Sequence, residues 1–85
     1  MSQPLAFIIE DDDKLAAIFA QALQAAQYDS EIIQNGETAV FRLAETQPEI
    51  VILDLHLPRV SGKDILRKIR SDPRLEATRV ILATA

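Results

Sequence analysis

The stretch Glu49–Gly62 reads Glu-Ile-Val-Ile-Leu-Asp-Leu-His-Leu-Pro-Arg-Val-Ser-Gly, and it joins a continuous apolar run to a single carboxylate. Four apolar residues, Ile50 to Leu53, lead directly into Asp54. An uninterrupted apolar run of this kind is typical of a strand that is buried on both faces of a parallel sheet. A carboxylate at the end of such a strand lies at the edge where open α/β sheets place their ligand sites. Asp54 is therefore the first candidate for a reactive group.

The residues on either side of this stretch predict three more strands and three helices. Together with Ile50 to Leu53, the predicted strands are Leu5 to Ile9, Glu31 to Gln34 and Val80 to Ala83. The predicted helices run from Lys14 to Ala26, from Glu37 to Thr46 and around Ile65, Leu66 and Ile69, with Ser71-Asp72-Pro73 ending the third. Asn35-Gly36 alone would suit a hairpin, but the helical spacing after it favours a strand-to-helix turn. The alternation predicts an α/β fold with a parallel sheet and right-handed crossovers.

Composition limits the classes of protein that the chain can represent. Its 85 residues form one small domain, residues 1–85. The net charge of −4 argues against general nucleic-acid binding by this segment. The absence of cysteine excludes disulfides and thiolate metal sites, and it fits a cytoplasmic protein. No apolar run reaches the roughly 18 residues of a membrane-spanning helix.

Polar residues follow three of the predicted strands at the point where each strand ends. They are Glu10 with Asp11, Asp54, and Thr84. Because the carboxyl ends of parallel strands meet at one edge of the sheet, the sequence predicts a single site with three carboxylates and a hydroxyl. Asp12 and Asp13 stand at the start of the first helix, where carboxylates cap free N–H groups and suit the helix dipole.

Clustered carboxylates repel one another and raise each other's pKa unless a cation lies between them. Mg²⁺ prefers such oxygen ligands, whereas the lack of a Cys or His cluster argues against Zn²⁺. A carboxylate beside Mg²⁺ can attack a phosphoryl group and form an aspartyl phosphate. The metal and a hydroxyl donor would stabilise the negative charge on the transferring phosphoryl oxygens.

Three segments together resemble the receiver domain of two-component response regulators. They are Ile9-Glu10-Asp11-Asp12, Leu53-Asp54-Leu55-His56-Leu57-Pro58 with Gly62, and Val80-Ile81-Leu82-Ala83-Thr84-Ala85. They occur in the family's order with matching separations, and the resemblance covers the whole chain. It implies a flavodoxin-like (CheY-like) sheet of order 2-1-3-4-5 with helices on both faces. It also implies a cytoplasmic signalling domain rather than an enzyme.

The resemblance also implies a role for each candidate site residue. Asp54 would accept a phosphoryl group from a histidine kinase or a histidine phosphotransfer protein. Asp11 and Asp54 would ligate Mg²⁺ directly, and Glu10 would hold it through water. The backbone carbonyl of His56 would complete the protein ligands, while its side chain would be a solvated loop group. Thr84 would hydrogen-bond the phosphoryl group and shift on phosphorylation.

The chain departs from the family pattern at its C-terminus. A complete receiver continues into a fourth helix, a fifth strand and a fifth helix, and it supplies a lysine that pairs with the phosphoryl oxygens and an aromatic switch residue. We therefore expect an incomplete receiver that lacks these parts. Its fourth strand, Val80 to Ala83, would be an apolar edge covered by a partner or by a second copy in a homodimer.

Two alternative functions are compatible with parts of this pattern. A pseudo-receiver would keep the fold and act only in protein interaction; the missing lysine favours it, while the set Glu10, Asp11, Asp54 and Thr84 argues against it. A metal-dependent phosphoryl-transfer enzyme of the toprim type also carries strand-end carboxylates. It needs Asp-x-Asp at one strand end, and here the position two residues after Asp54 is His56.

Overall fold

Strands and helices alternate throughout residues 3–83, the part of the chain that this computed structural model describes. The strands are β1 (Leu5–Ile9), β2 (Asp29–Ile33), β3 (Ile50–Leu53) and β4 (Arg79–Leu82). The helices are α1 (Asp13–Ala25), α2 (Gly36–Glu45) and α3 (Gly62–Ser71), and a 3₁₀ turn spans Pro73–Leu75. The predicted β-α-β-α-β-α-β order is thereby confirmed.

All strand pairs are parallel, and the sheet order is β2-β1-β3-β4. This confirms the predicted flavodoxin-like order for the strands present. Ile9 lies beside Ile33 on one side and beside Leu53 on the other, so that three strands end at the same level. The pairing continues beyond the strands, because the Glu10 N–H donates to Ile33 O at 3.0 Å and the Asp54 N–H donates to Ile9 O at 2.9 Å.

The strands alternate their side chains between two helical layers, since successive residues of a strand point to opposite faces. One face packs on α1 through Ala6, Ile8 and Ile52, which are buried with Ala16 and Leu23 of that helix. The other face packs on α2 and α3. Its buried residues are Phe7, Ile9, Ile33, Ala39, Leu43, Val51, Leu53, Leu57, Ile65, Ile69 and Leu75. The helices therefore lie on both faces of the sheet, as predicted.

Helix ends are defined by side chains that satisfy the free N–H groups of the first turn. Asp12 caps α1 and accepts from the N–H groups of Lys14 and Leu15 at 2.9 and 3.0 Å. Asn35 caps α2 by accepting from the Thr38 N–H at 2.8 Å, which confirms a strand-to-helix connection at Asn35-Gly36. Ser61 caps α3 in the same way.

The bounds of two strands differ from the sequence prediction, and α1, α2 and the end of β4 each lie one residue earlier than predicted. β2 spans Asp29–Ile33 rather than Glu31 to Gln34, because its N-terminal residues extend the ladder alongside Leu5 of β1 despite their low strand propensity. β4 begins one residue earlier than predicted, at Arg79, whose N–H donates to Glu49 O at 3.0 Å. In both cases pairing with a neighbouring strand determines the boundary.

β4 pairs only with β3 among residues 3–83, and its apolar side chains are incompletely covered. Ile81 is 52% exposed and Leu82 is 46% exposed. Ile81 lies beside Ile52 in the sheet and hence on the α1 face, whereas Leu82 lies beside Leu53 on the opposite face. The apolar surface of β4 is therefore accessible on both faces. No helix within the described residues combines the length and apolar character that crossing a membrane requires.

Candidate functional site

Two carboxylates lie side by side because their strands are neighbours and end at the same level. Glu10 follows β1 and Asp54 follows β3, and both are nearly buried, with 3% and 8% of their surfaces exposed. Asp11 comes next in the chain and is exposed. One carboxylate oxygen from each of these three residues lies within 4.8 Å of the others. The structure thus brings together the three acidic residues that the sequence places at strand ends.

Backbone N–H groups hold the two buried carboxylates in fixed orientations. The His56 N–H donates to Oδ1 of Asp54 at 2.9 Å, and the Asp12 N–H donates to Oε2 of Glu10 at 3.2 Å. Both donors lie two residues after their acceptors, at the start of the connection that follows each strand. Hydrogen bonds to ionised carboxylates are stronger than neutral ones, so they restrict the rotamers of Asp54 and Glu10.

The electrostatics of the site favour an added cation. Burial raises the pKa of the Glu10 carboxyl above its ordinary value; the N–H of Asp12 opposes this rise, and the negative charge of Asp54 adds to it. Such mutual repulsion is relieved when a cation lies among the carboxylates. A hard divalent ion with oxygen ligands fits this set, since none of the three residues offers nitrogen or sulfur.

The acidic residues after Glu10 and Asp11 serve the first helix. Asp12 is the N-cap of α1, and Asp13 lies in its first turn, where a carboxylate interacts favourably with the helix dipole. Asp13 also accepts a hydrogen bond from the side-chain amide of Gln34, which follows β2. These contacts confirm the capping interpretation and leave Glu10 and Asp11 as the acidic residues that face Asp54.

The connection between β3 and α3 folds back on the end of its own strand. Leu57 is buried in the core and anchors the middle of this loop, whereas the His56 side chain is exposed. At the far end, Gly62 packs directly on the backbone of Asp54 and Leu55, and its N–H donates to Leu55 O at 3.4 Å. A Cβ on residue 62 would overlap the carbonyl oxygen of Asp54. Gly62 is therefore required by close approach of the backbone.

Two features of the site's surroundings lie beyond the sequence prediction, and one predicted residue lies beyond the described structure. The close approach of Gly36 to Val60 joins α2 to the loop after Asp54. The only signal in the sequence is a glycine at the start of a helix, where many residues would serve. Arg59 adopts a left-handed conformation, with φ 67°, that no sequence pattern indicates. Thr84 lies outside the described residues.

Comparison with known proteins agrees with this arrangement. The chain matches the response regulator receiver domain family over residues 6–85. It is 34% identical over 82 residues to the phosphate regulon transcriptional regulatory protein PhoB of Rhizobium meliloti, covering 96% of this chain and 36% of that protein. It is also 34% identical over 65 residues to the DNA-binding response regulator MtrA of Mycolicibacterium smegmatis, covering 76% of this chain and 28% of the relative. The chain thus spans about a third of the length of these curated relatives.

A solved structure supports the fold independently. The receiver domain (CheY-like) of a response regulator from Methylobacillus flagellatus superposes with a TM-score of 0.85 at 23% identity. The match covers 98% of this chain and 70% of that one. At this level of identity the likeness establishes the arrangement of strands and helices. With the family match over nearly its whole length, the chain belongs to the receiver domain family of two-component response regulators.

Proposed function

We propose that Asp54 is the phosphoacceptor of this domain and takes a phosphoryl group from a histidine kinase or a histidine phosphotransfer protein. The observation that carries this proposal is the convergence of Glu10, Asp11 and Asp54 within 4.8 Å at one edge of the sheet. The His56 N–H donates a hydrogen bond to Oδ1 of Asp54 and thereby orients the carboxylate. The domain would act as a cytoplasmic signalling module rather than as an enzyme with a released product.

The residues at this edge fit a Mg²⁺ ion. Asp11 and Asp54 would ligate it directly, Glu10 would hold it through water, and the backbone carbonyl of His56 would add a further oxygen. This set matches the preference of Mg²⁺ for a few carboxylates with water in the remaining positions. When bound, the ion would offset the repulsion among the carboxylates and the charge on the phosphoryl oxygens.

In the transfer step, a carboxylate oxygen of Asp54 attacks the phosphorus atom of a phosphohistidine. A phosphorus–oxygen bond forms, the phosphorus–nitrogen bond breaks, and the imidazole leaves with the electron pair and takes a proton from solvent. Asp54 must be ionised to attack, so it needs no base. The buried position of Asp54 and its bond from His56 fix the direction of attack. Thr84 is proposed to donate its hydroxyl to a phosphoryl oxygen.

Intact-protein mass spectrometry tests this function. The chain is incubated with acetyl phosphate and MgCl₂, and the wild type is expected to gain one phosphoryl adduct. The Asp54→Asn variant should gain none, because an amide is not a nucleophile toward phosphorus. Asp64→Asn is the matched control, since Asp64 is an exposed carboxylate on α3 that pairs with Arg67. An adduct that persists in Asp54→Asn would exclude Asp54 as the acceptor.

A pseudo-receiver that acts through protein interaction is the second candidate, and the exposure of β4 favours it. Ile81 and Leu82 are each about half exposed on a strand that pairs with a single neighbour within residues 3–83. Apolar strand edges recruit other strands, so a homodimer through β4 is the specific form of this proposal. Sedimentation velocity over a dilution series tests it. A dimer that Ile81→Lys dissociates would support it, and a monomer at all concentrations would contradict it.

A further inference from the structure

The first residue of α2 contacts the loop that follows Asp54. A Cβ placed on Gly36 would lie 2.6 Å from Val60 Cβ and 2.6 Å from Val60 O. Real Cβ atoms do not approach other heavy atoms so closely, and one of these partners is backbone. Gly36 has no positive φ, so conformational freedom does not explain it. The absence of a side chain lets α2 lie directly against the loop.

A second glycine, Gly62, connects the loop to the backbone of the site. Gly62 comes two residues after Val60, and it packs against the backbone of Asp54 and Leu55. The segment Val60–Gly62 is therefore confined between α2 on one side and the end of β3 on the other. A displacement of Val60 would reach Asp54 and the neighbouring His56 through Gly62, because Gly62 is buried directly against the backbone of Asp54 and Leu55.

The other contacts of the loop that follows Asp54 explain its position less well than the contact between Gly36 and Val60. Arg59 pairs with Glu37 at 2.9 Å, but both side chains are largely exposed, at 77% and 60%, so solvent screens the pair. Arg59 nevertheless holds a left-handed backbone with φ 67°. A non-glycine residue keeps such a conformation only where its surroundings fix the chain. On the α2 side, the close approach of Gly36 is made to Val60, the residue that follows Arg59.

We propose that Gly36 is a positioning residue for the phosphoacceptor site, setting through Val60 and Gly62 the place of the Asp54 carboxylate and the His56 backbone. This inference deepens the proposed function and rests on it for the identity of the bound ion. Gly36 touches neither the ion nor the phosphoryl group. The effect of Gly36 is geometric. It makes the start of α2, where the β2–α2 connection ends, a part of the site.

The test compares Gly36→Ala with the wild type in two measurements. Isothermal titration with MgCl₂ is expected to show binding about tenfold weaker in the variant, as for residues that orient metal ligands. Hydrogen exchange of the His56 amide, followed by NMR without metal, is expected to be faster, because the bond from this N–H to Asp54 is displaced. Equal Mg²⁺ affinity and equal exchange in a folded variant would overturn the proposal.

Two further variants separate positioning from general destabilisation. Ala44→Gly weakens the same helix at its exposed far end and should leave both measurements near the wild-type values. If Ala44→Gly changes them as much as Gly36→Ala, the proposal is wrong. Val60→Gly removes the Cβ that faces Gly36 without creating a clash, and it is expected to weaken Mg²⁺ binding and speed the exchange of His56. It decides the question if Gly36→Ala does not fold.

Mg²⁺ binding by the wild type separates a failure of the positioning role from a failure of the proposed metal site. If the wild type binds Mg²⁺, and the two variants of this contact bind it equally well with unchanged exchange of the His56 amide, only the positioning role fails. If the wild type itself binds no Mg²⁺, the metal part of the proposed function fails. The exchange rate of the His56 amide, measured without metal, then decides the positioning role alone.

Discussion

The backbone N–H of His56 donates to Oδ1 of Asp54 at 2.9 Å, whereas the imidazole of His56 is exposed to solvent. The structure therefore joins Asp54 to the main chain of His56 and leaves the His56 side chain in solvent. This contact orients a buried carboxylate, and a hydrogen bond to a charged group contributes about 1.5–3 kcal/mol.

We expect His56→Ala to accept a phosphoryl group from acetyl phosphate at nearly the wild-type rate, because the variant keeps the N–H and the carbonyl of residue 56. His56→Pro lacks the N–H and should react about tenfold more slowly or worse, which is the rate equivalent of about 1.4 kcal/mol. The rate of adduct formation by mass spectrometry measures both. A large loss in His56→Ala, with circular dichroism unchanged, would show that the imidazole takes part.

Mg²⁺ is expected to stabilise the fold, because the proposed site would bind it in the native state and is absent from the unfolded chain. At a concentration ten times its dissociation constant, the gain in the free energy of unfolding is about 1.4 kcal/mol. Thermal unfolding measures it, with NaCl at equal ionic strength as the control. In Asp54→Asn this gain from Mg²⁺ should be lost. Without metal, the variant should be more stable than the wild type, because one of three clustered carboxylates is removed. An unchanged response to Mg²⁺ in Asp54→Asn would contradict the proposed metal site.

An ion pair between β2 and α2 predicts a pH dependence of stability. Arg42 donates to both carboxylate oxygens of Glu31 at 2.7 Å, and these hydrogen bonds hold the pKa of Glu31 below its ordinary value of 4.5 although burial opposes them. Because the pKa is lower in the folded state, the stabilisation is fully present above the ordinary pKa. It is lost as the pH falls through the lower folded value. Both side chains are about a third exposed, at 29% and 34%, so we expect only about 0.5–1 kcal/mol.

Urea unfolding of Glu31→Gln should therefore show a deficit at pH 7 that shrinks as the pH falls well below 4.5. Arg42 remains anchored in this variant by Glu45 and by its position 5.7 Å from the centre of the Phe7 ring. Glu37→Gln is the control, since its pair with Arg59 is largely exposed and should contribute almost nothing beyond the small interaction of a first-turn carboxylate with the dipole of α2. A deficit that is independent of pH would mean that Glu31 acts through packing and not through its charge.

The end of α1 offers a stabilising substitution. Gln27 has a φ of 67°. The Tyr28 N–H donates to Leu23 O at 2.9 Å and the Gln27 N–H donates to Gln24 O at 3.0 Å, which is the Schellman pattern. This position favours glycine, because a side chain in the left-handed region costs roughly 1 kcal/mol. Gln27→Gly should raise the free energy of unfolding by about 0.5 kcal/mol after the entropy of the unfolded chain is counted. Gln24→Gly, inside the helix, should lower it by about 1 kcal/mol. Equal losses in both variants would refute this interpretation.

Local patterns in the sequence predicted most of the fold. The apolar runs at Leu5–Ile9 and Ile50–Leu53 identified the two central strands with their observed bounds, because a strand buried on both faces needs no polar residue. Helical periodicity identified the three helices, and the parallel connections followed from the alternation of elements. The placement of Glu10, Asp11 and Asp54 at one edge also followed, since it depends only on where each strand ends.

The remaining features depend on contacts between segments that are far apart in the chain. The bounds of β2 and β4 follow the pairing of Asp29 with Leu5 and of Arg79 with Ile50. The contact of Gly36 with Val60 joins the first residue of α2 to the connection between β3 and α3, and neither residue signals the other in the sequence. Which elements form, and which carboxylates share an edge, follows from the sequence alone because period and strand ends are local properties. How closely α2 approaches the Asp54 loop does not follow from the sequence, because that distance depends on the packing of both helical layers against the sheet.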